Sequence, residues 1–255
     1  MKNVWAMYRR ELSSYFTSWI AYVVLSLFLL IYGYFFYDYV YRFIDFGFRM
    51  AQMGGGGRTL NVNQDLIRWL FHSTSVVVLF MIPGLTMRSF AEEKRSGTME
   101  LLLTSPITDF QLVLGKFLAA WTLYAAMLGL TFIHMGILFY FGDPEWKPIL
   151  AGYLGMLLLG GAFVSFGVLF SSFTQNQIVA VFLSFSVFLF LWLIEYSEDW
   201  MGAWGSAVAY MSVTKHIGDF SKGVIDTKDI VYYLSFIGFG IFLSTQSVES
   251  HRWRG

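Results

Sequence analysis

Residues 88–116 read RSFAEEKRSGTMELLLTSPITDFQLVLGK, and this stretch decides the architecture of the chain. Five charges fall within residues 88–95, then come Gly97-Thr98, the apolar run Met99–Leu103, and Ser105-Pro106. Ala91–Arg95 suits a helix end, Gly97 breaks it, and Thr98 is placed to cap the apolar run as a short helix. Pro106 ends or redirects that short helix. Thr108-x-x-Gln111 then matches a capping box opening a helix that runs through Leu112, Val113 and Lys116. A plain connector needs about four to six residues. This stretch is far longer and carries helix signals throughout, so it is expected to fold as helix, turn, short helix, turn, helix at the cytoplasmic membrane surface, where it receives force from a partner.

The sequence on either side supplies the membrane. Of 255 residues, 56% are apolar and 13% charged, with mean hydropathy +0.58. A soluble globule of this size carries about 25% charge. Formal net charge is zero, which leaves no basic footprint for nucleic acid. The absence of cysteine excludes disulfides, thiolate metal sites and thiol nucleophiles. The N-terminus does not have the pattern of a cleavable signal, because its charges are spread over an amphipathic segment with no small-x-small site after the first apolar run.

Residues 1–18 repeat Val4, Tyr8, Leu12, Tyr15 and Trp19 at helical spacing, which predicts an interfacial amphipathic helix. Six apolar runs come after it. The first is Trp19–Tyr37, with Asp38 marking its exit into a loop over 38–65 that includes Gly54–Gly57. That glycine run lacks the Lys-Ser/Thr of a phosphate-binding loop. The second run is Leu66–Met87, where Pro83-Gly84 is expected to kink the helix. The third is Phe117–Phe141, closed by Gly142-Asp143-Pro144. The fourth, Ile149–Phe170, is dense in small residues, which points to close helix packing rather than to a glycine-lined path. After a polar turn at 171–177 comes the fifth, Ile178–Ile194. The segment 195–229 is too interrupted to span and is expected to form one or two short helices on the outer surface, partly dipping in. The sixth run, Ile230–Gln246, leads to a tail over 247–255. The single transmembrane domain is thus residues 19–246.

Six spans place both termini on one side. Nine basic residues then lie on that side and eight on the other, and clusters at Arg9/Arg10, Arg88/Lys94/Arg95 and Arg252/Arg254 mark it as the cytoplasm. Chemistry is sparse. No HExxH, GxSxG or Walker pattern occurs. His72 and His134 lie within apolar runs without an accompanying ligand set; His72 reads as a satisfied or interface-level histidine, and His134 as a buried polar group that needs a partner, with a pathway role the lesser reading. Glu92 and Glu93 are adjacent, and neighbours on a helix point apart. Their charge run is either a solvated face or a docking surface. Glu195 and Glu198 share a helical face at the outer end of a span, where water is the expected surround.

The motif Phe90-Ala91-Glu92-Glu93-Lys94-Arg95-x-Gly97-Thr98-x-Glu100-Leu101-Leu102-Leu103-x-x-Pro106, with Gly115-Lys116 after it, resembles the ABC-2 type permease family, the membrane subunits of ATP-driven exporters. The likeness extends over essentially the whole chain and is nearest to the gliding-motility and copper-enzyme-maturation branches. It implies an all-α polytopic membrane protein with six transmembrane helices, an N-terminal interfacial helix, a cytoplasmic coupling helix between spans two and three, and short extracellular helices before span six. By position, Glu92, Glu93, Lys94, Arg95 and Glu100 become contacts to a cytoplasmic ABC ATPase, Gly97 the turn between them, and Pro83 and Gly84 a hinge. The resemblance further implies no catalytic residue and no cofactor in this chain, ATP and magnesium on two ATPase copies, a second permease copy in the bilayer (a homodimer, or a homologous permease), and residence in a bacterial or archaeal inner membrane. The first outer loop leaves room for an accessory extracytoplasmic protein. A membrane scaffold that transmits ATPase-driven force to an external assembly without moving a substrate is the alternative function.

Overall fold

A helix that is apolar all round belongs at the centre of a bundle, and the fourth span meets that condition. The computed structural model describes residues 2–52, 60–104, 106–197 and 201–252, which include six helical stretches long and apolar enough to cross a membrane and no β-strand. The amphipathic helix α1 (Lys2–Thr17) is followed after Ser18 by α2 (Trp19–Gln52). A π turn at Asn63–Ile67 runs into α3 (Arg68–Thr86), and only Met87 separates α3 from α4 (Arg88–Arg95). Then come α5 (Met99–Leu103), α6 (Asp109–Leu130) and α7 (Phe132–Phe141). The central α8 (Trp146–Phe173) precedes α9 (Gln177–Leu193). Two short helices, α10 (Gly205–Ala209) and α11 (Ile217–Ser221), lead to the last span, α12 (Thr227–Arg252).

The glycines of α8 are sites of close approach. A Cβ on Gly160 would enter the Tyr124 ring of α6, one on Gly152 the Phe71 ring of α3, and one on Gly167 the Thr86 side chain. On other faces of the helix, Gly155 accepts Phe220 of α11, and Gly161 lies against Ile237 of α12. Close packing therefore accounts for the small residues of this span. Two hydrogen bonds to its backbone hold α6 against it: Tyr124 Oη donates to the Met156 carbonyl at 2.7 Å, and Trp121 Nε1 to Leu157 at 3.0 Å.

Several boundaries differ from the sequence expectation. The helix does not end at Asp38, and 38–52 is not a loop: α2 continues to Gln52, roughly 51 Å of helix at 1.5 Å per residue. Acid-before-base pairs, Asp38–Arg42 and Asp45–Arg49, each 2.8 Å, stabilise the extension. Tyr39 adds a 2.6 Å hydrogen bond to Ser73 of α3. Gly54–Gly57 lie outside the described residues. The third span is interrupted at Thr131, whose hydroxyl meets the Leu128 carbonyl and the Tyr153 hydroxyl, both at 2.6 Å.

The segment before the last span is not a surface appendage. Phe220 is wholly buried, and α11 packs on α8 and α3. His216 and Asp229, which look like loop polarity in the sequence, form a buried pair: Nδ1 lies 2.6 Å from Oδ1. The imidazole stacks on Tyr232 at 3.9 Å, and Nε2 lies 3.0 Å from the Tyr210 carbonyl. Glu195 accepts a 2.8 Å hydrogen bond from Thr214, while Glu198 lies outside the described residues.

Candidate functional site: the elbow between the second and third spans

Between the second and third spans the chain forms an elbow of two short helices, α4 and α5. Its first joint is at Met87, the single residue between α3 and α4, whose amide bonds the Pro83 carbonyl at 3.0 Å. Ser171, from the far end of α8, braces this joint. Its Oγ donates to the Met87 carbonyl at 2.9 Å and accepts from the Phe90 and Ala91 amides at 2.9 and 3.1 Å. The second bend is at Gly97, whose φ of +71° lies in the left-handed region that a Cβ disfavours. Thr98, expected to cap α5, does not: its backbone is helical and no side-chain cap forms. Its hydroxyl instead joins that of Ser96 at 2.9 Å, closing the turn. The third bend has the expected capping box, with Gln111 N bonded to Thr108 Oγ1 at 3.3 Å and Thr108 N to Gln111 Oε1 at 3.4 Å.

The four consecutive residues 92–95 divide by face. Glu92 points out, 47% exposed, and pairs with Arg88 one turn earlier at 2.7 Å. Arg95 is exposed as well. Glu93 points in: only 12% exposed, its Oε1 lies 2.7 Å from Lys116 Nζ and 3.3 Å from Arg10. Lys94 turns toward the C-terminal ends of α8 and α12, where it meets the Ser172 carbonyl and His251. Beyond the glycine turn, Glu100 and Leu101 are exposed, Leu101 by 72%. The outward face of the elbow is therefore Glu92, Arg95, Gly97, Glu100 and Leu101. Pro83 is buried within α3, and Gly84 has open space where a Cβ would sit.

Lys116 is the residue on which these elements converge. On α6 and 2% exposed, it binds Glu93 of α4 at 2.7 Å and Glu11 of α1 at 3.1 Å, with its ammonium 5.0 Å above the Phe90 ring. Gly115 explains how α1 comes so near, because a Cβ there would overlap the Met7 side chain. The dipeptide Gly115-Lys116 thus has two functions: the first residue admits α1, and the second ties it to α4. Glu11 does not stand out in the sequence, where it reads as part of the polar face of an amphipathic helix, and Arg10 counts there only toward the topology.

Among the described residues, no group of three His, Cys, Asp or Glu side chains could hold a metal. His72 stands edge-on to Trp69, and His134 packs against the Tyr32 and Phe36 rings, each at 5.1 Å.

Comparison with known proteins gives a consistent picture. A family model described as ABC-2 family transporter protein matches residues 5–222. Two curated relatives, each described as probable multidrug ABC transporter permease YbhR, come from Escherichia coli strain K12 and from Escherichia coli O157:H7. Each is 28% identical over 170 residues, which covers 64% of this chain and 45% of the relative. The chain spans about half the length of the curated relatives it matches.

Proposed function

The chain belongs to the ABC-2 family of transporter proteins, and from that premise we propose that it is the permease subunit of an ATP-driven exporter whose inner elbow docks on a separate ATPase chain. Both termini then face the cytoplasm of a bacterial or archaeal cell, and two permease copies pair in the inner membrane with two ATPases that hold ATP and magnesium. The relatives' printed description, a multidrug permease, makes a small amphiphilic compound the first substrate class to try.

The observation that carries this reading is the bridge of Lys116 to Glu93 and Glu11. A partner pressing on the outward face of α4–α5 pushes a helix joined through one buried ammonium to the head of the third span and to α1. Charge-assisted bonds in a dry setting resist separation, so the elbow moves with those helices. Closure of the ATPase pair would tilt spans two and three together, with Pro83 and Gly84 just above the bend as the point of flexure.

The division by face makes the reading testable in a reconstituted permease–ATPase complex. Glu92→Lys, on the outward face, is expected to weaken ATPase capture. Glu93→Gln, on the inward face, should leave capture intact and lower transport-coupled ATP turnover about tenfold. Unchanged capture and turnover in both variants would remove the elbow from the coupling path.

A further inference from the structure

Behind the elbow lies a cavity of about 400 Å³, between α1, the start of α2, the inner end of α3, and α4. Its walls are of two kinds. Ala21, Val24 and Leu85 form an apolar side, and Arg10, Arg88, Glu11 and Glu92 a charged side. Ser89 lines it too, buried to 5% exposure, with no hydrogen-bond partner for its hydroxyl. The Tyr15 hydroxyl in the same wall donates instead to the Leu85 carbonyl at 3.3 Å. The deeper charges are engaged already, since Lys116 holds Glu93 and Glu11. Near the mouth, Arg10 stays 56% exposed while reaching Glu93 at 3.3 Å, and Arg88 and Glu92, partly open to solvent, hold each other at 2.7 and 2.8 Å, a pair that the two charges of a zwitterion would each take over.

The depth of the cavity is set by its neighbours. The corner between α1 and α2 carries Phe16, Trp19 and Tyr22, all exposed, and aromatic residues of this kind settle at the headgroup level of a bilayer. The inner end of the second span, at Leu85, supplies one wall. A site at headgroup depth, apolar toward the bilayer and charged toward the cytoplasm, has the polarity of a phospholipid. The sign of its charge narrows the class. The lining holds three cations (Arg10, Arg88, Lys116) and three carboxylates (Glu11, Glu92, Glu93), so an anion alone is matched no better than a cation alone.

We propose that this cavity binds a zwitterionic phospholipid headgroup bearing a primary ammonium, phosphatidylethanolamine in type. The phosphate lies against Arg88 and Arg10, whose guanidinium groups suit phosphate oxygens geometrically. The ammonium donates hydrogen bonds to Glu92 and the Ser89 hydroxyl, which a quaternary choline cannot do. The acyl chains leave past Ala21 and Val24. The site meets the outward docking face only at Glu92, which lies on the rim between them, and its occupancy requires no ATPase.

Native mass spectrometry of the full-length chain, released from mixed vesicles of phosphatidylethanolamine, phosphatidylcholine and phosphatidylglycerol, tests this. One phosphatidylethanolamine per chain is expected to be retained, at least tenfold over either competitor. Arg88→Ala and Glu92→Gln should each reduce that retention tenfold or more, and Arg88→Lys should keep most of it. Thermal unfolding of the same samples identifies variants that have simply lost the fold, in which case Ser89→Ala, a smaller change, is expected to lower retention severalfold. Soluble glycerophosphoethanolamine and inorganic phosphate, added in excess, should not displace the lipid. Equal retention of the three lipids, preference for phosphatidylglycerol, displacement by inorganic phosphate, or retention indifferent to all the variants would overturn the proposal.

Discussion

The two ends of the bundle each contain a buried pair of opposite ionisable residues, and the pairs differ in what they connect. At the outer end, His216 and Asp229 are thirteen residues apart in sequence and hold α11 to the start of α12. At the inner end, Lys116 reaches 23 residues back to Glu93 and 105 back to Glu11. The outer pair staples a local segment, capped by stacking on Tyr232 and by Tyr233 Oη bonding the Val213 carbonyl at 2.6 Å. The inner pair ties together three elements that the chain brings in from far apart. An end stapled locally, opposite one cross-linked over long range, suits a molecule that receives work at the cross-linked end under the proposed orientation.

The strongest way to break this comparison is to cut each pair. Lys116→Ala leaves Glu93 and Glu11 with only the exposed Arg10 as a cation, and Asp229→Ala leaves His216 without its carboxylate partner. Removing one member of such a pair costs about 3–5 kcal/mol, seen as a lower unfolding midpoint in detergent. The double replacements then separate stability from coupling. His216→Phe with Asp229→Leu is expected to recover most of the stability and to retain ATPase coupling. Lys116→Met with Glu93→Gln should recover stability as well, yet leave coupling lost. Equal behaviour of the two doubles would erase the distinction between staple and relay.

Two of the three positive-φ glycines among the described residues sharpen it at a smaller scale. Gly223, with φ of +82°, closes the turn after α11 and would drive a Cβ to within 3.0 Å of Pro148. Gly97 has nothing within 4 Å of that position. Gly223→Ala is thus expected to cost roughly 1–3 kcal/mol from crowding beyond the backbone strain, and Gly97→Ala only the strain, about 1–2 kcal/mol. Unfolding midpoints should fall further for Gly223→Ala, whereas coupled ATP turnover should fall further for Gly97→Ala. The smallest effect expected is that of Thr108→Ala, which removes one half of the capping box at about 1 kcal/mol and leaves the outer end untouched.

The inner end was legible in the sequence because its signals are local. A glycine turn, a proline and a Thr-x-x-Gln box each act within four residues, and each except the Thr98 cap forms where the spacing puts it. Gly115-Lys116 was visible as a motif, but its purpose was not, because Met7 and Glu11 lie more than a hundred residues away. The outer end was hidden for the same reason. Nothing near His216 in the chain announces Asp229, and burial of the pair depends on Gly155 leaving room for Phe220. The length of α2 was missed by treating Asp38 as an exit, although Arg42 four residues later continues the helix. The sorting of Glu93 from Glu92 also required the fold, since helical spacing says only that they diverge and not which of them meets Lys116.

Whether the elbow is the docking face can be asked without background, because the chain has no cysteine. Leu101→Cys places a single thiol on the exposed face of α5. Trp204→Cys places one at a site of similar exposure, 75%, on the outer segment. With a short bifunctional thiol–amine reagent and the co-expressed ATPase, position 101 is expected to cross-link to the ATPase in high yield and position 204 not at all. A complex that retains its ATPase yet gives no adduct from position 101, or gives the same adduct from both, would contradict the assignment of the inner elbow as the surface that receives work.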